Sequence, residues 1–127
     1  MSAAVEAVYP AAVWQRFRAP GHAGLPATGA ALGRGGERKH GGDLELWLEV
    51  ADGTVRRAGF RAFGCPYLIA SADAACEAIT GLRVASLIEF DAGALIQGMQ
   101  VPPERFPVKI WIEDAVRAAA RAASPAT

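Results

Sequence analysis

The residues with most chemical potential lie in Phe63-Gly64-Cys65-Pro66-Tyr67-Leu68-Ile69-Ala70-Ser71, where a strand-like run gives way to a helix-like one at Cys65. A cysteine at a helix N-terminus meets unpaired backbone N–H groups and the positive end of the helix dipole. Both favour the thiolate, the form that attacks sulfur and binds metal. Pro66 suits the first helical position. The second cysteine, Cys76, falls on the same stripe as Ile69, Ala72 and Ile79 and is expected in the core. Eleven residues along one helix separate the two thiols by about 16 Å, too far for a disulfide or a shared small metal site. Cys65 therefore acts without Cys76.

The elements around Cys65 follow from periodicity. Leu44, Leu46, Leu48 and Val50 alternate with Glu45, Trp47 and Glu49, the pattern of a half-buried strand. Ala51-Asp52-Gly53-Thr54 is a hairpin turn, and Val55 to Phe63 returns antiparallel, with adjacent Arg56 and Arg57 marking a bulge. A helix is expected from Pro66 to about Thr80 with Gly81 at its end, shorter helical pieces around Val84 to Met99 broken at Asp91, and an Ala-rich helix to about Ala123. Val5, Val8, Val13, Trp14 and Phe17 give an N-terminal amphipathic region restarted at Pro10 and stopped before Pro20. Gly21 to Gly42 reads as a flexible glycine-rich loop, and Ser124 to Thr127 as a frayed tail. The Gly-Arg-Gly-Gly stretch lacks the Gly-Lys-Ser/Thr ending of a nucleotide loop.

The 127 residues fit one domain, 52% hydrophobic and 20% charged, a globular composition. Thirteen basic residues balance thirteen acidic ones, which disfavours nucleic acid or an anionic membrane as partner. The start of the chain lacks signal-peptide features and no run reaches membrane-spanning length, so a cytoplasmic protein with free thiols is expected.

Taken together the motifs resemble the U-type iron-sulfur cluster assembly scaffold family, which includes the N-terminal domain of the nitrogen-fixation U proteins. Phe17, Pro20 and Gly24 resemble the family's F-x-x-P-x-x-x-G, and Gly42-Asp43 its C-G-D. Phe63-Gly64-Cys65 with Ile69-Ala70-Ser71 is similar to F-G-C-x-x-x-I-A-S, Val101 to Arg105 to L-P-P-E-K, and Asp114 to Ala119 to the final helix. The resemblance spans almost the whole chain. It implies a single α+β domain over 1–127, with a small, mainly antiparallel sheet and helices packed on one face. It also implies a scaffold that is not an enzyme and that binds iron, a [2Fe-2S] cluster or zinc.

In that family three cysteines and an aspartate hold the metal. Here Gly41 stands at the first cysteine and Pro107-Val108 at the final His-Cys pair, leaving Cys65 and Asp43 of the ligand set. Clusters are held mainly by thiolates, commonly four. His40, three residues before Asp43, would complete a trio with an open position if the segment folds back; His22 reads as solvated. Three functions follow from the resemblance: a scaffold binding iron or cluster weakly or with partner ligands, a persulfide acceptor that takes sulfur from a cysteine desulfurase on Cys65, and a non-catalytic docking module of the same pathway. Pro102-Pro103 and Phe106 to Lys109 resemble an altered form of the family's chaperone-recognition segment. The oligomeric state stays open; a two-fold axis would bring two copies of Cys65 together.

Overall fold

The computed structural model describes residues 9–124. Helix α1 (Ala11–Arg18) leads to strand β1 (Ala31–Glu37), a 3-10 turn (Arg38–His40), strands β2 (Gly42–Ala51) and β3 (Thr54–Phe63), and helix α2 (Pro66–Ile79). A second 3-10 turn (Val84–Leu87), the short helix α3 (Gly93–Gly98), a third 3-10 turn (Pro103–Arg105) and helix α4 (Pro107–Ala123) complete the chain. The three strands form one antiparallel sheet in the order β1-β2-β3, and the fold is α+β with the helices on one face. Val5 and Val8 of the expected N-terminal helix, and residues 125–127 of the expected tail, lie outside the described residues; Ser124 still bonds back to the Ala120 carbonyl.

The alternation in β2 sets the layers. Leu44, Leu46 and Leu48 are buried on the helix-bearing face, where they pair with Gly35, Gly33 and Ala31 of β1 and with Ala62, Phe60 and Ala58 of β3. Helix α4 lies over β1 and β2, while α2 covers β3. The opposite face carries Arg34, Glu45 and Arg61 in a row, with both arginines bonded to the Glu45 carboxylate. At the β2–β3 turn Asp52 and Gly53 both have positive φ, 54° and 73°, the geometry favoured by the twist of a two-residue hairpin. The expected bulge is present: the register slips between Glu49 and Val50, which leaves Arg56 without a partner across the ladder.

The glycine-rich segment is a correction. Rather than a flexible loop throughout 21–42, Ala31–Glu37 forms β1 and pairs with β2 along its length. The reason lies in helix packing. A β-carbon on Gly33 would stand 2.1 Å from the Ala115 carbonyl oxygen, and one on Gly35 would stand 2.0 Å from that of Trp111. The backbone of α4 thus rests directly on β1, and only glycine leaves room. Earlier in the same segment, residues 22–24 run beside β3: Phe60 N–H donates to His22 O at 3.1 Å, and Gly24 N–H to Phe60 O at 2.9 Å.

Two buried carboxylates fasten the helices. Asp73 of α2 accepts from Arg16 of α1 at 2.9 Å and from the His22 backbone N–H at 2.8 Å. Glu113 of α4 accepts from the Ala92 N–H and from Lys109 Nζ, both at 2.8 Å, anchoring the start of α3. Asp91 Oδ1 accepts from Gly93 N–H at 2.6 Å, the turn that breaks the helical run where the sequence indicated.

Candidate functional site

Cys65 occupies the N-cap position of α2 in an extended conformation, φ −75° and ψ 165°, with Pro66 as the first helical residue. Its carbonyl accepts from Leu68 N–H at 3.0 Å and Ile69 N–H at 3.2 Å, while its side chain makes no capping hydrogen bond. The thiol is half-buried and lines a cleft of about 80 Å³ with His40, Gly41, Glu104, Arg105, Val108 and Trp111. The end of the first 3-10 turn, the start of α2 and the start of α4 therefore converge here, bringing together residues far apart in sequence. Tyr67, two residues after Cys65, stacks edge-on against Tyr9 at 5.2 Å. Partial burial, reinforced by nearby acidic groups including Glu104, pushes its phenol pKa above 10.0.

Cys76 is wholly buried, as expected, and its thiol is pushed far up in pKa by that burial and secondarily by Asp73. It stays neutral and out of reach of solvent.

The other site residues separate. His40 shares the cleft with Cys65. Asp43 does not: at the second position of β2 it follows the odd-numbered alternation onto the helix-free face. There Arg38 Nε donates to Asp43 Oδ2 at 2.9 Å, and the same guanidinium covers the Phe63 ring at 4.4 Å. Asp43 accordingly lines a different groove, with Arg34, Glu45 and Arg61. The trio of His40, Asp43 and Cys65 is not assembled, and among the described residues no three His, Cys, Asp or Glu side chains gather closely enough to hold a metal ion. His22 is likewise remote from the cleft, its ring nitrogen Nδ1 3.1 Å from the Ala58 carbonyl.

The two positions of the missing cysteines have distinct local reasons to accept what they hold. Gly41 is left-handed at φ 101°, a conformation that costs a residue with a β-carbon, and it closes the 3-10 turn by donating to Arg38 O at 3.0 Å. Val108 is 1% exposed and packs as part of the core. Glu104, Arg105 and Trp111 are cleft residues that sequence reasoning passed over; Glu104 and Arg105 stood in a quoted motif, but with no partner in sequence to show what they would face.

The cleft presents one sulfur nucleophile, one imidazole, one carboxylate and one guanidinium. That set can bind a soft metal through one or two donors, or accept sulfur on the thiol, and it falls short of the four ligands that a cluster takes. Among the described residues no helix is long and apolar enough to cross a membrane.

Comparison with known proteins gives the same direction. The chain is 27% identical over 114 residues to iron sulfur cluster assembly protein 1 of Trachipleistophora hominis, covering 87% of this chain and 83% of that protein. It is 27% identical over 82 residues to iron-sulfur cluster assembly protein IscU of Plasmodium falciparum; the match covers 65% of this chain and only 51% of that relative. The fold matches the crystal structure of a protein described as a SUF-system iron-sulfur cluster assembly scaffold, from Fervidobacterium islandicum AW-1. The TM-score is 0.72 at 16% identity, covering 91% of this chain and 98% of that one. Residues 8–124 match the model of the NifU-like N terminal domain. The chain thus belongs to the NifU-like N-terminal domain family, that of the iron-sulfur cluster assembly scaffolds.

Proposed function

We propose that this protein serves iron-sulfur cluster assembly by contributing one thiolate, Cys65, to an iron or [2Fe-2S] site whose remaining ligands come from a partner assembly protein. The observation that carries this reading is the cleft itself, with one half-buried thiol beside His40 and with Gly41 and Val108 where the family pattern has cysteines. Iron or zinc would be held by Cys65 Sγ with His40 as the adjacent imidazole donor. Asp43 would join by leaving Arg38. That exposed ion pair is worth less than about 1 kcal/mol, so the cost is small, but the carboxylate must also turn around the sheet margin. The protein carries out no turnover of its own in this reading.

The half-exposure of the single thiol favours a second reading, sulfur acceptance from a cysteine desulfurase. The Cys65 thiolate attacks the terminal sulfur of the donor's cysteine persulfide. A new S–S bond forms on Cys65, the donor's S–S bond breaks, and the electron pair leaves with the donor thiolate. One accessible thiol suffices, and no metal cage is needed.

The test is anaerobic reconstitution with iron and sulfide, with and without a cysteine desulfurase, on wild type, Cys65→Ala and His40→Ala. Visible absorption and iron, sulfide and zinc content are read, beside mass spectrometry of Cys65. The shared-site reading expects little bound cluster on the isolated protein and a gain with the partner that Cys65→Ala abolishes. Stoichiometric cluster on the isolated wild type, or binding that survives Cys65→Ala, overturns it. A one-sulfur mass gain on Cys65 without metal selects sulfur acceptance. Partner binding with neither product leaves docking as the remaining role.

A further inference from the structure

Regular strand alternation would send adjacent Arg56 and Arg57 to opposite faces of the sheet. The bulge at Glu49/Val50 prevents this, and both arginines line one cavity of about 350 Å³ between β3 and the strap formed by residues 21–25. Bulges are a known means of re-aiming side chains toward a site. No Asp or Glu lines the cavity, unlike the groove holding Arg34, Arg38 and Arg61, where Asp43 and Glu45 already meet the arginines. Arg57 pairs with Glu49 at 3.3 Å and lies over the Trp47 ring at 5.5 Å. Arg56 has no carboxylate within ion-pair distance among the described residues. The strap is preformed, held by its two backbone bonds to Phe60 and by Trp47 Nε1 donating to Gly24 O at 3.3 Å.

His22, on that strap, also lines the cavity. A carbonyl can only accept, so the 3.1 Å contact with Ala58 O assigns the proton of the neutral ring to Nδ1 and leaves Nε2 as an acceptor. Two guanidiniums, Arg56 without an ion pair among the described residues and Arg57 shared with Glu49, together with a hydrogen-bond acceptor match an anion that carries both ionised oxygens and a hydroxyl.

We propose that this cavity binds a phosphate group, with its ionised oxygens on Arg56 and Arg57 and its hydroxyl donating to His22 Nε2. A carboxylate has ionised oxygens for the arginines but no hydrogen for His22, so phosphate is preferred. Along β3 the cavity lies about eight residues, roughly 26 Å, from Cys65, so phosphate and the thiol cleft are used independently.

The test is titration of the whole protein with sodium phosphate at constant ionic strength, followed by amide and indole NMR, with acetate and chloride as parallel arms. Saturable shifts at residues 21–25 and 56–58 and at the Trp47 indole are expected. Arg56→Gln should weaken them about tenfold, the loss of one charge-assisted hydrogen bond, while Arg56→Lys retains binding. The arginine is exposed and has no ion pair among the described residues, so the spectrum of the variant otherwise stays native. Shifts that fail to saturate, that chloride reproduces, that centre on other residues, or that survive Arg56→Gln overturn the site. Equal binding of acetate overturns the phosphate assignment.

Discussion

Replacing Gly33 or Gly35 by alanine tests the contact that holds the thiol cleft together. A β-carbon at Gly35 would sit 2.0 Å from Trp111 O and 2.8 Å from its carbonyl carbon; at Gly33 it would meet Ala115 O at 2.1 Å and Ala119 N at 2.3 Å. These gaps are about 1.4 Å short of ordinary contact, and the obstacles are helix backbone rather than a side chain that can swing away. Helix α4 would have to withdraw, loosening Val108, Ile112, Ala115, Val116, Ala119 and Ala120, all buried. Overpacking against flexible neighbours costs about 1–3 kcal/mol. With a rigid neighbour, and after crediting alanine with the entropy advantage over glycine, a net loss of about 2–4 kcal/mol is expected for each variant. For a domain of this size that is roughly 7–15 °C in Tm. Urea and thermal unfolding followed by circular dichroism measure it, with Gly24→Ala as control. Position 24 has open space around its β-carbon site, so that control should stay within about 0.5 kcal/mol of wild type. Because Val108 and Trp111 of α4 line the cleft, the alkylation rate of Cys65 should change in the two destabilised variants. If both variants match wild type in stability, α4 does not rest on β1 as described, and the account of the glycine-rich strand fails.

Three further outcomes follow from the burial of Cys76 and Asp73. Iodoacetamide should modify Cys65 alone in the native protein and both cysteines after denaturation, because Cys76 is wholly buried. Since burial raises the Cys76 pKa, the unfolded chain releases this proton above 9.0 while the folded chain retains it. Stability from this group is therefore intact below pH 9.0 and falls above it by about 1.4 kcal/mol per pH unit. Urea melts at increasing pH should show a steeper decline above pH 9.0 in wild type than in Cys76→Ala, where raised groups such as Tyr67 still contribute, and an identical slope in the variant would refute the argument. Asp73→Ala removes the only side-chain acceptor of the His22 N–H among the described residues and the nearer acceptor of Arg16, which keeps Glu77 at 3.3 Å, in a site where the Asp73 side chain is 4% exposed. A loss of about 1–3 kcal/mol, the cost of an orphaned N–H and a weakened ion pair, is expected by denaturation, less for Asp73→Asn, which keeps an acceptor for His22. A loss below about 0.5 kcal/mol would place the α1–α2 fastening elsewhere.

Elements whose signals are local were legible in the chain alone. The 2-residue alternation of Leu44 to Val50, the Asp52-Gly53 turn, the paired arginines at the bulge, the helix opened by Pro66 and closed before Gly81, and the break at Asp91 all depend on neighbours in the chain. So did the placement of Cys65 at a helix N-terminus and Cys76 in the core, since both follow from one helical stripe. The rest depended on packing between distant segments. Gly33 and Gly35 signal a loop until the backbone of α4 is laid against them; glycine's poor strand propensity is then outweighed by a contact that a β-carbon would forbid. The direction of Asp43 depended on strand register, which turned it toward Arg38 and away from the thiol. The cleft combines His40, Cys65 and the Glu104–Trp111 stretch, three regions far apart in the chain and brought together by the packing of α4 on the sheet. A pattern of types and spacings identifies which side chains can do chemistry; which of them meet is fixed by long-range burial, which no local periodicity encodes.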